Sequence, residues 1–417
     1  MSITNARAAM TDRNWRAALD HLNELDPGDD PAQAYHLSGT CFLEVEDLDE
    51  ALWFAQQAVH TKPTNAAAWC QLGVAHQLLA GAGPNHYLEA HICFERAYNM
   101  APGNPTAATG LACSFYTLRQ HEAALDMFRV AQRPGPNPKA KLAEAGVLLT
   151  LGRFKEGWEK LDARLELPDL PQVGFYTGSL MGLRDKTVVI RAEQGNGDVI
   201  QFLRYVPKVR SFCRNLILEV WSGMETLAKA LVGTHVDKIV TSVYEAKPDA
   251  VSISLLSLPR LLGPMFGVAP FKPMVVPKEF HNPMRHGVGI CPSSLQRENS
   301  PYSNSVARRK TPPREMIEAI GSEIGDYVSL THADLGASDW LGTAQVIADL
   351  DLVITVDTGV AHLAATLGIE TWVMQRFDAC WRWVDPRWYP TARVFHQSAP
   401  GDWDSVYRQI VEALQAR

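Results

Sequence analysis

Four short stretches of this 417-residue chain combine residue types that can do chemistry. The first is Glu193-Gln194-Gly195-Asn196-Gly197-Asp198. Gly195 and Gly197 let the backbone turn sharply, and the start of a following helix favours an anion. The plain alternative is a strand-to-helix turn with Asp198 as the helix N-cap. The second stretch is Val356-Asp357-Thr358-Gly359-Val360-Ala361-His362. Free amides of Thr358 and Gly359, with the Thr358 hydroxyl, would make a phosphate cradle. Asp357 would face the cleft at the end of its strand, where ligands bind in open α/β sheets. His362 follows one helical turn later and, taken alone, reads as a packing histidine. The third stretch is Arg308-Arg309-Lys310, placed in a loop before a helix, from which it could reach a diphosphate; most such charge runs are solvated. The fourth is Cys380-Trp381-Arg382-Trp383, with Trp388-Tyr389-Pro390 behind it. These aromatics are either core or a wall that stacks on a base or sugar, with Arg382 able to pair with phosphate.

Strands and helices must alternate to hold these stretches in place. Lys186–Arg191 reads as a buried strand and Val199–Arg210 as the helix after the first glycine loop. Strands follow at Leu216–Trp221, Lys238–Thr241 and Ala250–Leu255. A Pro-rich crossing, 259–283, leads to strand Gly287–Cys291. Then come helix Glu315–Glu323, strand Tyr327–Leu330, helix Trp340–Leu350, strand Leu352–Val356, helix Val360–Leu367, strand Thr371–Gln375 and helix Trp403–Gln415. The alternation predicts parallel, doubly wound sheets in two lobes, 187–282 and 283–417, with a cleft between them.

Residues 1–165 carry a different signal, a period near 34 that resembles the tetratricopeptide (TPR) pattern. One repeat shows Tyr35, Gly39, Phe42, Ala51, Ala55, Ala58 and Pro63. The next shows Trp69, Leu72, Gly73 and His76, then an insertion at Gly81–Pro84, then Ala90, Phe94, Ala97 and Pro102. A third shows Leu111, Ala112, Phe115, Ala124, Phe128, Ala131 and Pro136. A fourth starts at Leu142, Ala145, Gly146 and Leu149 and degrades. Ala18, Leu22 and Leu25 suggest the second helix of a partial cap. Small residues at Gly39, Gly73, Ala112 and Gly146 would let paired helices approach closely. The aperiodic, Pro- and Gly-rich segment 166–186 reads as a linker. The expected architecture is therefore an α solenoid followed by an α/β part.

Composition sets outer limits. A formal charge of −7 gives no reason to expect nucleic acid as partner. The seven cysteines have no metal-ligand spacing, which points to reduced core thiols, a cytoplasmic location and no metal. The N-terminus has no signal-peptide core, and the longest apolar stretch, Val251–Val268, is interrupted too early for a membrane span.

Taken in order, AEQGNGDVIQFLRY, SLLSLPRLLG, TAQVIADLDLVITVDTGVAHLAATLG and WRWVDPRWYPTARVFHQSAPGDW resemble bacterial TPR-fused glycosyltransferases of the heptosyltransferase-like superfamily, which have the GT-B pair of Rossmann-like lobes. The degenerate repeat GRFKEGWEKLDARLE resembles them too. The resemblance implies metal-independent sugar transfer from a nucleotide-sugar. Asp198 would be the general base. Thr358, Gly359 and their helix would hold the donor diphosphate, with Asp357 and His362 near the donor and Arg309 offsetting charge on the leaving nucleotide. Gly195 and Gly197 would shape the loop, and Gln194, Trp381, Arg382 and Trp383 a substrate wall. The acceptor would be a protein or peptide held by the repeats. Two other readings stay open: a non-catalytic adaptor, and a transferase acting on a glycan, lipid-linked saccharide or modified nucleobase. A homo-oligomer is also left open. The chain departs from the group's pattern at Cys380, where Asp is usual, at Gly342, and in the loop Pro292–Pro313.

Overall fold

The computed structural model describes residues 2–417 except 82, 84, 168–173, 242–249, 267–285, 294–300 and 337–338. Of the Pro-rich crossing 259–283, residues 259–266 form a helix and the rest lies outside the described residues, as do parts of the 166–186 linker and the 292–313 loop.

Ten helices pair into five antiparallel hairpins: α1 (Ser2–Thr11) with α2 (Trp15–Asn23), α3 (Pro31–Glu44) with α4 (Leu48–Thr61), α5 (Ala66–Leu79) with α6 (Asn85–Met100), α7 (Pro105–Thr117) with α8 (His121–Gln132), and α9 (Pro138–Thr150) with α10 (Phe154–Leu161). The N-terminal part is thus a TPR-like helical solenoid. Its sequence explains the starts. Asp30, Asn65, Asn104 and Asn137 each cap a first helix with a side-chain oxygen, and Pro31, Pro105 and Pro138 occupy the first helical position. The turns of four hairpins carry a residue in the left-handed region, at Arg13, Glu46, Arg119 and Gly152.

The small-residue expectation holds unevenly. A Cβ at Gly73 would sit 2.8 Å from the Phe94 ring, whereas one at Gly146 would lie 3.8 Å from the Tyr116 hydroxyl, an ordinary contact. The expected partial cap is a complete hairpin, since α1 packs on α2; Leu25 lies beyond α2 and is exposed.

The α/β part contains two parallel sheets. The first has strand order β3-β2-β1-β4, from β1 (Thr187–Arg191), β2 (Asn215–Glu219), β3 (Lys238–Val240) and β4 (Val251–Ser254). Around it lie α11 (Asn196–Phe202), α12 (Val206–Val209), α13 (Glu225–Val232) and α14 (Leu258–Phe266). The single helix expected over Val199–Arg210 is divided by a 3-10 turn, with Pro207, which has no amide to donate, in the first turn of α12. The second sheet has order β6-β5-β7-β8-β9, from β5 (Val288–Cys291), β6 (Tyr327–Ser329), β7 (Leu352–Val356), β8 (Glu370–Gln375) and β9 (Ala392–His396). Its helices are α15 (Pro301–Lys310), α16 (Arg314–Ile324), α17 (His332–Leu335), α18 (Trp340–Ala348), α19 (Gly359–Thr366) and α20 (Trp403–Gln415). β9 was not expected. It is an edge strand with Arg393 exposed, so it lacks the apolar run of the inner strands.

One core runs through three parts of the chain. It joins Ala145, Leu149, Phe154 and Trp158 of α9 and α10 to the first sheet and to Trp381, Trp383, Trp388 and Tyr389 of the second lobe. Trp158 meets Phe202, Trp381 and Trp388 edge-on. A second core under the other face of the second sheet gathers Trp372, Phe395, Met316, Ile320, Val406 and Ile410. The free cysteines suit this packing. Burial pushes the Cys41 and Cys70 thiols up to about 11 and the Cys93 thiol to about 12, so they stay protonated and inert.

Candidate functional site

Two loop-to-helix turns, one from each lobe, meet at the carboxyl ends of β1 and β7. In the first, Gln194 takes a left-handed conformation with φ of 60° and Gly195 is the N-cap of α11. Asp198 is the third helical residue, not the N-cap, and its carboxylate accepts from the Gly195 amide at 3.1 Å. The other carboxylate oxygen is held by the Arg382 guanidinium, which also donates to Gln194 Oε1 at 3.3 Å. Asp198, Gln194 and Arg382 are therefore brought together from both lobes.

In the second turn, Thr358 caps α19 by accepting from the Ala361 amide, and Thr355 lies 3.3 Å from its hydroxyl. Asp357, at the end of β7, is buried. Its carboxylate is 2.8 Å from Lys310 Nζ and accepts from Trp383 Nε1 at 2.8 Å. Burial would raise its pKa, but the Lys310 ammonium and these hydrogen bonds outweigh that and hold it well below the usual carboxylate range. His362 stacks on Trp383 with ring centroids 4.7 Å apart, and its Nδ1 is 2.8 Å from the Tyr389 hydroxyl. Burial pushes His362 down to about 4, aided by the nearby Arg382 and Lys310 cations and opposed by Asp357. The imidazole is neutral near pH 7.

The two turns touch. A Cβ on Gly197 would lie 2.6 Å from His362 Cδ2 and 3.4 Å from Gly359 Cα, so only glycine permits this approach. Gly359 in turn leaves room for the Trp340 ring.

Two expectations are corrected. The basic run is not a loop: Arg308, Arg309 and Lys310 form the last turn of α15, where cations complement the helix end. Arg309 pairs with buried Asp378 at 2.7 Å, while Lys310 is the cation beside Asp357. Trp381 and Trp383 are also not an open wall. They are 7% and 5% exposed and belong to the shared core. Arg382, lying over the Trp381 ring at 4.3 Å, is the member of that run that reaches the site.

Sequence reasoning passed over Lys310 as an individual, and it missed Tyr389 as a partner for His362. A cavity of about 380 Å³ adjoins the site, lined by Arg382, Trp383, Tyr389 and the β9 residues Ala392, Val394 and His396 among others. His396 Nδ1 is buried without a hydrogen-bond partner among the described residues. Among those residues there is no group of three or more His, Cys, Asp or Glu side chains able to hold a metal, and no helix long and apolar enough to cross a membrane.

No family model matches the chain. Protein FlbA of Caulobacter vibrioides is 22% identical over 441 residues, covering 89% of this chain and 71% of that protein. Among solved structures, the TPR protein TTC0263 of Thermus thermophilus matches at 16% identity and a TM-score of 0.36, covering 40% of this chain and 94% of its own. A structure of MamA matches at 17% identity and a TM-score of 0.32, covering 41% and 96%.

Proposed function

We propose that the chain transfers a sugar from a nucleotide-sugar to an acceptor hydroxyl, on a protein brought to the cleft by the repeats. One observation carries the reading: Asp198 of the first lobe pairs with Arg382 of the second, in a turn whose Gly197 touches Gly359 at the capped start of α19. In this reading Asp198 takes the acceptor proton as the donor's leaving group departs. The amides at the start of α19, with Arg382, balance the charge that develops on the nucleoside diphosphate. The cavity beside Arg382 falls within the usual small-molecule range of about 300–1,000 Å³ and supports a donor ring there. The repeats support protein binding by their architecture.

The contact between Gly197 and His362 closes the two turns onto each other, and Arg382 occupies Asp198. Turnover then requires the lobes to part and Arg382 to exchange Asp198 for phosphate. A second reading is an adaptor whose lobes bind without catalysing.

Purified protein mixed with a panel of nucleotide-sugars tests both. Donor hydrolysis or transfer, lowered about 10²–10⁴-fold by Asp198→Asn, is the expected result. No turnover, and no thermal stabilisation by any nucleoside diphosphate, leaves the adaptor reading standing and removes the transferase.

A further inference from the structure

The segment that ends the repeat array carries a buried ion cluster that reaches directly beneath the Asp198 loop. Arg164 lies in the 3-10 turn Asp162–Glu166 after α10, and it is 3% exposed. Its guanidinium forks onto Glu193, with Nε 3.0 and 3.1 Å from the two carboxylate oxygens and Nη2 2.6 Å from one of them. Nη2 also reaches Ser254, the last residue of β4, and Ser257 in the 3-10 turn after it, at 2.6 and 2.9 Å. Nη1 donates to the Leu161 carbonyl and to Asp162, both at 2.9 Å. Asp162 accepts from Ser257 at 2.6 Å and pairs with Arg260 of α14. Two cations and two carboxylates therefore neutralise one another.

Glu193 is 2% exposed and immediately precedes Gln194, the left-handed residue that turns the chain towards Asp198. A non-glycine residue in that conformation costs about 1 kcal/mol and persists only where its surroundings hold it. Here it is held from both sides, by Arg164 on Glu193 and by the Asp198 carboxylate on the Gly195 amide.

We infer that Arg164 is a positioning residue for the Asp198 loop, so that the last repeat is part of the site's construction as well as a recruiting surface. Only the catalytic arm of the test rests on the transferase reading. Arg164→Lys keeps the charge but cannot present a planar fork to a carboxylate and two serines at once. In the full-length protein, amide exchange over 192–198 is expected to speed up at least tenfold, with exchange across β7 and α19 unchanged. In turnover, kcat is expected to fall at least tenfold at unchanged donor KM. Adding Arg164→Lys to Asp198→Asn should cost nothing more, because the arginine acts through that carboxylate.

Unchanged exchange over 192–198 overturns the inference. So does a loss of turnover that persists in full on the Asp198→Asn background. Should Arg164→Lys fail to fold, the paired replacement Arg164→Met with Glu193→Met removes both buried charges together and gives the same exchange readout. If the wild-type protein turns over no nucleotide-sugar, the transferase reading falls, and the exchange measurement still decides the positioning role.

Discussion

Lys310 and Asp357 show how much of the candidate site depends on single buried charges. Breaking a buried pair leaves an uncompensated ion, at a cost of about 3–5 kcal/mol, while removing both partners costs far less. Lys310→Met should therefore lower urea-unfolding stability by about that amount, and Lys310→Met combined with Asp357→Asn should recover most of it. His362 and His396 give a pH signature. Burial depresses both to about 4 in the folded chain, below the ordinary histidine value of about 6.5. Between those values the unfolded chain takes up protons first, so stability is retained above the window and lost as pH falls from about 6.5 towards 4. Each histidine contributes up to about 1.4 kcal/mol per pH unit across it. Urea midpoints measured over that range should fall with acidity, and His362→Gln with His396→Gln should flatten the slope.

Helix pairing depends on where a methyl group fits. Phe94 packs against the backbone of Gly73, and also inside contact distance of a Cβ at Gly110. Alanine at either position overpacks a buried aromatic and should cost about 1–3 kcal/mol. Gly146→Ala meets no such obstacle and replaces a poor helix former, so it should be neutral or stabilise by up to about 1 kcal/mol. Thermal melts of the three variants separate these outcomes. The same elements also fasten the array to the second lobe. Glu46 accepts from Asn304 at 2.8 and 3.0 Å, and Arg119 donates to the Phe377 carbonyl at 2.6 Å. Both are left-handed turn residues within their hairpins, so the strained turns aim side chains at the α/β part.

At the scale of the whole molecule, the array and the lobes share one core, with Trp158 at the meeting point of α10, Phe202 and Trp381. Trp158→Ala should cost about 3–5 kcal/mol. It should shift unfolding of the first sheet together with that of α9 and α10, as one transition in exchange experiments. A separate unchanged transition for the sheet would show that the array is only tethered.

The sequence by itself determined the local order: a helical repeat period, the alternation of strands and helices, and the two glycine turns that end at Asp198 and Thr358. These depend on periodicity, capping and backbone freedom, which act over a few residues. It left β9 unseen, because an edge strand buries little and carries no apolar run. It also could not decide what the ambiguous side chains do. Trp381 and Trp383 became core, Arg309 became a pin to Asp378, and Lys310 became the partner of Asp357. Those roles come from which surfaces meet across hundreds of residues. Desolvation there makes a charge choose one buried partner, and no local pattern states which partner that is.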